Sequence, residues 1–269
     1  MAAQLPLLHI HLLGDLRVTR GAEPVPAITS VRAQSLLAYL VLRAGVPQSR
    51  RHLAFLLWPD SSDEQSRSNL RKLLHDLRRA LPDVERFIVS EGPNLMWRAD
   101  GPYVLDVTEL ERSLNQSGTA DQLQKTVALY QGPLFQSCYD DWVLPERERL
   151  HQLFIDGLNR LIGLLENQGD YRGAIQYAQL LLHHDPLHED VYRTLMRLYA
   201  LGEDRAAALR TYQTCRAVLQ KELDVEPSPA THQAYQRLLE LPSAAKPAAH
   251  PAPPLVGHSR EWQRLQEAW

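Results

Sequence analysis

Ser62-Asp63-Glu64-Gln65-Ser66-Arg67-Ser68-Asn69-Leu70-Arg71-Lys72-Leu73-Leu74-His75-Asp76-Leu77-Arg78-Arg79-Ala80-Leu81 is the stretch on which the reading of this chain turns. On a helical wheel of about 100° per residue, Leu73, Leu74, Leu77 and Leu81 fall within about 60° of Leu70 and form one apolar stripe. Glu64, Ser68, Lys72, His75 and Arg79 take the opposite side, with Arg71 and Arg78 on one flank and Asn69 on the other. Ser62 and Gln65 have the spacing of a capping box, which predicts a helix from there to about residue 80. Residues 64–79 hold five Lys+Arg against two acids. Taken alone, such a helix is most simply a solvated amphipathic face. Its neighbours point elsewhere.

Upstream, Ser49 caps a short helix in which Leu53, Leu56 and Leu57 face inward and which Pro59 stops. Before it, a helix begins at Thr29 or Ser30, with Ala33, Leu36, Leu37, Leu40, Val41 and Ala44 as its stripe and Gly45 at its end. Earlier still, alternation in Leu8-His9-Ile10-His11-Leu12 and Leu16-Arg17-Val18-Thr19-Arg20 about Gly14-Asp15 predicts two antiparallel strands. A third is expected near residues 25–28, confined to an edge by Pro24 and Pro26. Downstream come Phe87-Ile88-Val89-Ser90, a turn at Glu91-Gly92-Pro93-Asn94, Leu95-Met96-Trp97-Arg98, and then Tyr103-Val104-Leu105.

Strands, three helices and a hairpin are the order of a winged helix-turn-helix. A helix fits the major groove, where Arg and Lys address guanine edges and Asn or Gln addresses adenine. The candidate DNA contacts are therefore Arg67, Ser68, Arg71, Lys72, His75 and Arg79 on the third helix. Arg50 and Arg51 join them at the start of the second helix, where free N–H groups and the dipole favour a phosphate. Asn94 and Arg98 on the wing complete the set, as contacts that position without specifying sequence.

From Asp106 onward strand signals vanish, and helices are predicted at about 106–116, 120–130, 145–168, 171–184, 188–201, 203–222 and 229–240. Gly169-Asp170-Tyr171-Arg172-Gly173-Ala174 is echoed 33 positions later by Gly202-Glu203-Asp204-Arg205-Ala206-Ala207, close to the tetratricopeptide (TPR) period. The fold class is thus an α+β winged helix-turn-helix domain (1–105) followed by an all-α, TPR-like helical-hairpin domain (106–242). Residues 243–254 are an Ala/Pro-rich linker and 255–269 open a further element.

The net charge of −3 divides unevenly: residues 1–105 hold 13 Lys+Arg against 10 acids, and residues 106–245 hold 13 against 20. A basic head on an acidic body agrees with a nucleic-acid partner for the head. No run approaches the roughly 20 apolar residues that span a bilayer, and the N-terminus lacks the pattern of a secretory signal. Cys138 and Cys215 lie far apart in helical surroundings, which suits idle thiols in a cytoplasmic protein. His183, His184, Asp185, His188, Glu189 and Asp190 span a breaker turn and lack the facing spacing of a zinc helix. No Gly-x-Ser-x-Gly turn supports a hydrolase, and the acids from Asp140 to Glu148 read as a solvated face. Neither an enzyme nor a cofactor is expected.

The ordered series of motifs over residues 5–241 resembles the SARP family, the Streptomyces antibiotic regulatory proteins and their bacterial relatives. The resemblance rests on Leu36-Leu37-Ala38-Tyr39-Leu40, Leu56-Leu57-Trp58-Pro59-Asp60 and Leu70-Arg71-Lys72-Leu73-Leu74-His75 in the first half. In the second half it rests on Leu129-Tyr130-Gln131-Gly132-Pro133-Leu134, Trp142 with Glu146-Arg147, Asp185-Pro186-Leu187-His188-Glu189 and Leu223-Asp224-Val225-Glu226-Pro227. It implies an OmpR-like winged helix joined to a bacterial transcriptional activator domain, binding double-stranded promoter DNA at direct repeats and activating through RNA polymerase. The wing departs from the pattern, because Asn94-Leu95-Met96-Trp97-Arg98-Ala99 lacks the Gly-Tyr ending typical of many OmpR-like domains. Leu255-Val256-Gly257-His258-Ser259-Arg260-Glu261 resembles the opening of a STAND-type ATPase module, with His258 where arginine is commoner. No phosphate loop follows within these residues, so a truncated module that does not bind ATP is expected. Whether the helical domain stabilises a homodimer, receives a partner or senses a signal is left open. The competing reading is a non-DNA-binding TPR-like scaffold of a signalling ATPase.

Overall fold

The computed structural model describes residues 7–25, 28, 30–81 and 83–240. Thr29, Pro26 and Ala27, the expected linker and the residues after it lie outside these. Strands β1 (Leu8–His11), β2 (Arg17–Arg20) and β3 (Glu23–Pro24) form an antiparallel meander. The third strand comes earlier than the expected residues 25–28. Gly21, at φ 61°, closes a two-residue turn that pairs Arg20 with Glu23 at once. Pro24, which has no N–H to give, takes the edge.

Helix α1 (Val31–Leu42) follows Ser30, and Ala33, Leu36, Leu37, Leu40 and Val41 of its predicted stripe are buried. Ala44 falls beyond the helix and is half-buried. Ser35, Ala38 and Tyr39 are buried as well, so the helix is covered on more than its stripe. Next come β4 (Gln48–Ser49), α2 (Arg50–Leu57), α3 (Asp63–Ala80), β5 (Ile88–Glu91) and β6 (Asn94–Trp97). Leu53, Ala54 and Leu57 are the buried residues of α2, whereas Leu56 is half-buried. The three short strands make one sheet in the order β4-β6-β5. Strand β7 (Tyr103–Leu105) pairs parallel with β1, which gives a second sheet ordered β3-β2-β1-β7.

Strand β7 runs without a linker into α4 (Asp106–Gln116). Asp106 is only 5% exposed. Its carboxylate accepts the N–H groups of Leu12, Leu13 and Val107 at 2.8–2.9 Å. Burial pushes its pKa up, against the pull of those backbone donors.

Helix α5 (Ala120–Val127) carries a complete capping box between Thr119 and Gln122. It ends before the predicted residue 130, where the chain tightens through Leu129 N–H to the Thr126 carbonyl and Tyr130 N–H to that of Val127. The loop beyond it returns to the first sheet: Phe135 N–H donates to the Leu12 carbonyl (2.7 Å) and Gly14 N–H to that of Pro133 (3.1 Å). Arg147, on α6 (Leu144–Asn167), donates to the carbonyls of Leu134, Phe135 and Cys138 and holds that loop. Helix α7 (Tyr171–His184) pairs with α6, and the first compact unit runs on to Pro186.

The second unit begins at Leu187 and holds α8 (Glu189–Leu201), α9 (Arg205–Leu223) and α10 (Pro229–Glu240). Met196, Ala208, Tyr212 and Leu238 are buried together. Glu189 accepts from both the backbone N–H (2.8 Å) and hydroxyl (2.6 Å) of Ser228, which ties the start of α10 to that of α8. The structural repeat behind the echo is 34 residues, one more than the string match, because the capped helix starts, Tyr171 and Arg205, are that far apart. Asp170 caps the Gly173 N–H at 2.9 Å, and Asp204 caps the Ala207 N–H at 2.8 Å. Among the described residues no helix is long and apolar enough to cross a membrane.

Asp106 and the half-buried His184 each lend themselves to a stability prediction. Asp106→Asn turns an acceptor into a donor facing backbone N–H groups and is expected to cost about 2–3 kcal/mol in chemical denaturation. A loss below about 0.5 kcal/mol would show the carboxylate to be dispensable. The His184 ring lies 5.0 Å from that of Phe154 and 5.9 Å from that of Tyr130. Burial, reinforced by His183 and His151, holds its pKa below the ordinary imidazole value. A depressed folded-state value favours the fold above the free value of about 6.5, and that contribution is lost as pH falls. Denaturation midpoints between pH 7.5 and 5.5 should therefore fall less steeply in His184→Phe than in the parent; parallel profiles would remove His184 from the account.

Candidate nucleic-acid interface

The second helix of the motif starts where the predicted cap places it: the Ser49 hydroxyl accepts from the His52 N–H at 3.1 Å. Strand β4, which holds Ser49, pairs with β6 so that Ser49 faces Asn94, and the Arg50 N–H donates to the Pro93 carbonyl at 2.9 Å. The turn of the wing is therefore fastened to the N-terminus of α2. Sequence reasoning missed this strand because two residues carry no period to detect.

Helix α3 is 18 residues long, about 27 Å at 1.5 Å per residue. Leu70, Leu73, Leu74, Leu77 and Leu81, the whole predicted stripe, are buried, with Ser66 beside them. Each buried leucine is worth roughly 1.5–3 kcal/mol relative to exposure, and an exposed ion pair such as Arg67–Asp63 only about 0.3–0.5. Packing therefore fixes which way the helix faces. The predicted capping box is half formed. Ser62 accepts from the Gln65 N–H at 3.3 Å, while the Gln65 amide turns to Asn69 Oδ1 at 2.8 Å.

The opposite side is open. Arg67, Ser68, Arg71, Lys72, His75, Arg78 and Arg79 are all exposed. Asp63 and Glu64 in the first turn and Arg78 and Arg79 in the last complement the helix dipole, which is a sufficient structural reason for them. Arg71, Lys72 and His75 stand mid-helix, where the dipole offers no such reason. They and Arg79 engage no hydrogen-bond or ion-pair partner among the described residues. Arg67 is committed, donating twice to Asp63 at 3.1 and 2.6 Å.

A cleft of ≈ 810 Å³ lies between the first turns of α2 and α3, with Pro93 of the wing turn in its wall. It gathers Arg50, Arg51, Arg67 and Arg71 around the buried Leu70, with Asp63 and Glu64 also lining it. Arg50 and Arg78 both donate to the Ser90 hydroxyl at 3.3 Å, so two guanidinium groups converge on one neutral oxygen. Arg78 and Ser90 stood outside the predicted contact set. A signal for Arg78 was present in its place on the flank of the polar face, whereas Ser90 needed the tertiary fold.

The wing residues divide. Asn94 is half-buried in the central strand beside the Gly92-Pro93 turn, between Ser49 and Glu91. Arg98 lies past the other end of that strand, beyond the Ile88–Trp97 pair, and donates to Asp100 at 3.0 and 2.8 Å. The Arg98 hydrogen bond in turn holds the Asp100 carboxyl below its ordinary range. Arg98 is thus not brought to the cluster, and the acid two positions on was the sequence signal for it.

A winged helix-turn-helix with an open basic face on α3, followed along the chain by helical hairpins, has the architecture of SARP-type transcriptional regulators. The bacterial transcriptional activator domain family matches residues 103–239, and the chain belongs to it. Over 249 residues the chain is 28% identical to the regulatory protein AfsR of Streptomyces coelicolor, a match covering 88% of this chain and 25% of AfsR. It is 22% identical over 258 residues to the transcriptional regulatory protein MoaR1 of Mycobacterium tuberculosis, covering 87% of this chain and 80% of MoaR1. Mycobacterium tuberculosis EmbR, solved in complex with a low-affinity phosphopeptide, shares the fold with a TM-score of 0.71. That likeness holds at 20% identity over 87% of this chain and 65% of the EmbR chain. The chain spans about a quarter of the length of AfsR. The resemblance drawn from the sequence motifs is borne out at the level of the family.

Arg78→Ala tests whether the Arg50–Arg78–Ser90 cluster serves the fold. Removing one of two converging cations relieves repulsion as it breaks a bond, so stability should stay within about 0.5 kcal/mol. A loss above about 1 kcal/mol in denaturant titration would make the cluster a structural element.

Proposed function

We propose that this chain binds double-stranded promoter DNA sequence-specifically, with the exposed face of α3 in the major groove, and activates transcription there. The observation that carries the reading is the mid-helix set Arg71, Lys72 and His75. These groups are exposed and without a partner among the described residues, on a helix whose other face is committed to the core. Groups three and four positions apart on one helix reach the same groove, and Ser68 and Arg79 extend the row at each end. Arg67 shares the cleft and can exchange Asp63 for a phosphate, since its present pair is solvent-exposed.

Arg50 and Arg51, at the positive end of α2, with Arg78 beside them, are assigned to the phosphate backbone, and Asn94 to the adjoining wing turn. Arg98 is set apart from this interface by position, since it stands beyond the Ile88–Trp97 pair, at the end of the hairpin away from the Gly92-Pro93 turn. In this reading residues 1–105 read DNA and residues 106–242 regulate, in the cytoplasm and without enzymatic activity. Contact with RNA polymerase rests on family membership.

The test is retention of DNA selected from a random pool by the purified full chain, followed across salt. Neutralising Z phosphates should make log K fall with log salt at a slope of about −0.9Z. Arg71→Ala, Lys72→Ala, His75→Ala and Arg79→Ala should each cost about 1–3 kcal/mol where they touch base edges and relax the preferred sequence. Arg50→Ala should weaken all sequences alike. No salt-sensitive retention of any sequence would return the chain to a protein-binding scaffold.

A further inference from the structure

The segment Cys138-Tyr139-Asp140-Asp141-Trp142-Val143 lies between α5 and α6, inside the region matched by the activator-domain family. It supplies the cover that α1 has beyond its apolar stripe. Ser35 on α1 is 0% exposed, and a buried hydroxyl without partners is costly. Its Oγ donates to Asp140 Oδ2 at 2.5 Å and accepts from Trp142 Nε1 at 3.1 Å. Arg32, one turn earlier, donates to Asp140 Oδ1 at 2.7 Å. Both carboxylate oxygens and the indole N–H are therefore used on two residues of one helix.

The contact continues beyond α1. The Trp142 ring meets that of Tyr39 edge-on, with centroids 5.2 Å apart. On the other side of Tyr39, its hydroxyl lies 2.9 Å from His52 Nε2 on α2 and 3.5 Å from Gln48 Oε1 on β4. The Arg43 guanidinium stacks on the same ring at 4.0 Å. Gln48 and His52 flank the Ser49 cap and the Arg50–Arg51 pair, and β4 is the strand that fastens the wing. A continuous chain of packed and hydrogen-bonded side chains thus runs from the activator domain to the element that presents the backbone-binding arginines.

We infer that Asp140 and Trp142 are positioning residues for DNA recognition: acting through Ser35 and Tyr39, they hold the N-terminus of α2 and the wing turn in their docking geometry. This rests on the DNA-binding reading above. Trp142 is buried at 9% exposure and Ser35 completely, so neither can touch a duplex, and any effect on DNA affinity must pass through the protein.

The test uses the full chain with Trp142→Phe, Asp140→Ala, Tyr39→Phe and the double variant Trp142→Phe/Tyr39→Phe. Phe at 142 keeps an aromatic ring in the site but loses the N–H and the volume of the second indole ring; Phe at 39 keeps the ring and loses the links to His52 and Gln48. At a temperature where each variant is fully folded, each single change should weaken selected DNA about threefold to tenfold. The double variant should lose little more than the stronger single, because both act in one chain. Amide hydrogen exchange at His52, whose N–H the Ser49 cap protects, should quicken in each. Lower melting temperatures with unchanged affinity and unchanged exchange would overturn the inference, as would losses that multiply. Should Asp140→Ala fail to fold, the two Phe variants decide. Should the parent chain bind no DNA, the functional reading has failed, and the His52 exchange rate alone then decides whether the positioning chain exists.

Discussion

Where β7 turns into α4, the Asp106 carboxylate lies out of water and accepts the N–H groups of Leu12 and Leu13 at the end of β1, and of Val107 on its own helix. A buried carboxylate is tolerated only when its lone pairs are occupied, and the strand-end amides it serves would be costly if left alone. This mutual need holds the last turn of the β1 chain path in one position. From there the Leu12 carbonyl receives Phe135, Gly14 reaches Pro133, and Arg147 gathers the carbonyls of the same loop. The sheet of the winged head and the first hairpins of the activator domain are thereby parts of one packed body.

That body determines how the candidate interface is presented. Five leucines of one face of α3 and its flank are spent on the core, and no comparable demand acts on the other face. Dipole complementarity accounts for the charges at the helix ends, and Asp63 accounts for the present state of Arg67. What is left over, in the middle of the helix, is the short row Arg71, Lys72 and His75, with no hydrogen-bond or ion-pair partner among the described residues. Beside it the α2 N-terminus and the wing turn are bound to each other by β4 and by the Arg50–Pro93 hydrogen bond, so the three elements that would meet a duplex are not independent.

Where structure and sequence pattern part, each difference has its own local cause. Leu56 was placed inward and Ala54 was not, because a two-turn helix leaves its stripe ambiguous until its neighbour is known. Strand β3 came early because a glycine turn set its register, and β4 was invisible because two residues have no period. Arg98 was assigned to the wing from its place in the chain, and the ladder puts it at the end of the hairpin away from the Gly92-Pro93 turn. Gln65 fits a capping box by spacing, yet its side chain finds Asn69 one turn on.

By itself the amino-acid order determined the helices and the longer strands in their order, the caps at Ser49 and Ser62, the buried leucine row of α3 and the basic row opposite. These are local properties, set by periodicities of two and 3.6 and by side chains that reach only three residues along. Tertiary structure alone decided that β7 lies beside β1, that Ser90 draws together two arginines, and that Ser35 and Tyr39 are covered by a segment about 100 residues away. Contacts across such separations depend on which surfaces remain after every local element has formed. A linear pattern does not encode that remainder until the whole chain has packed.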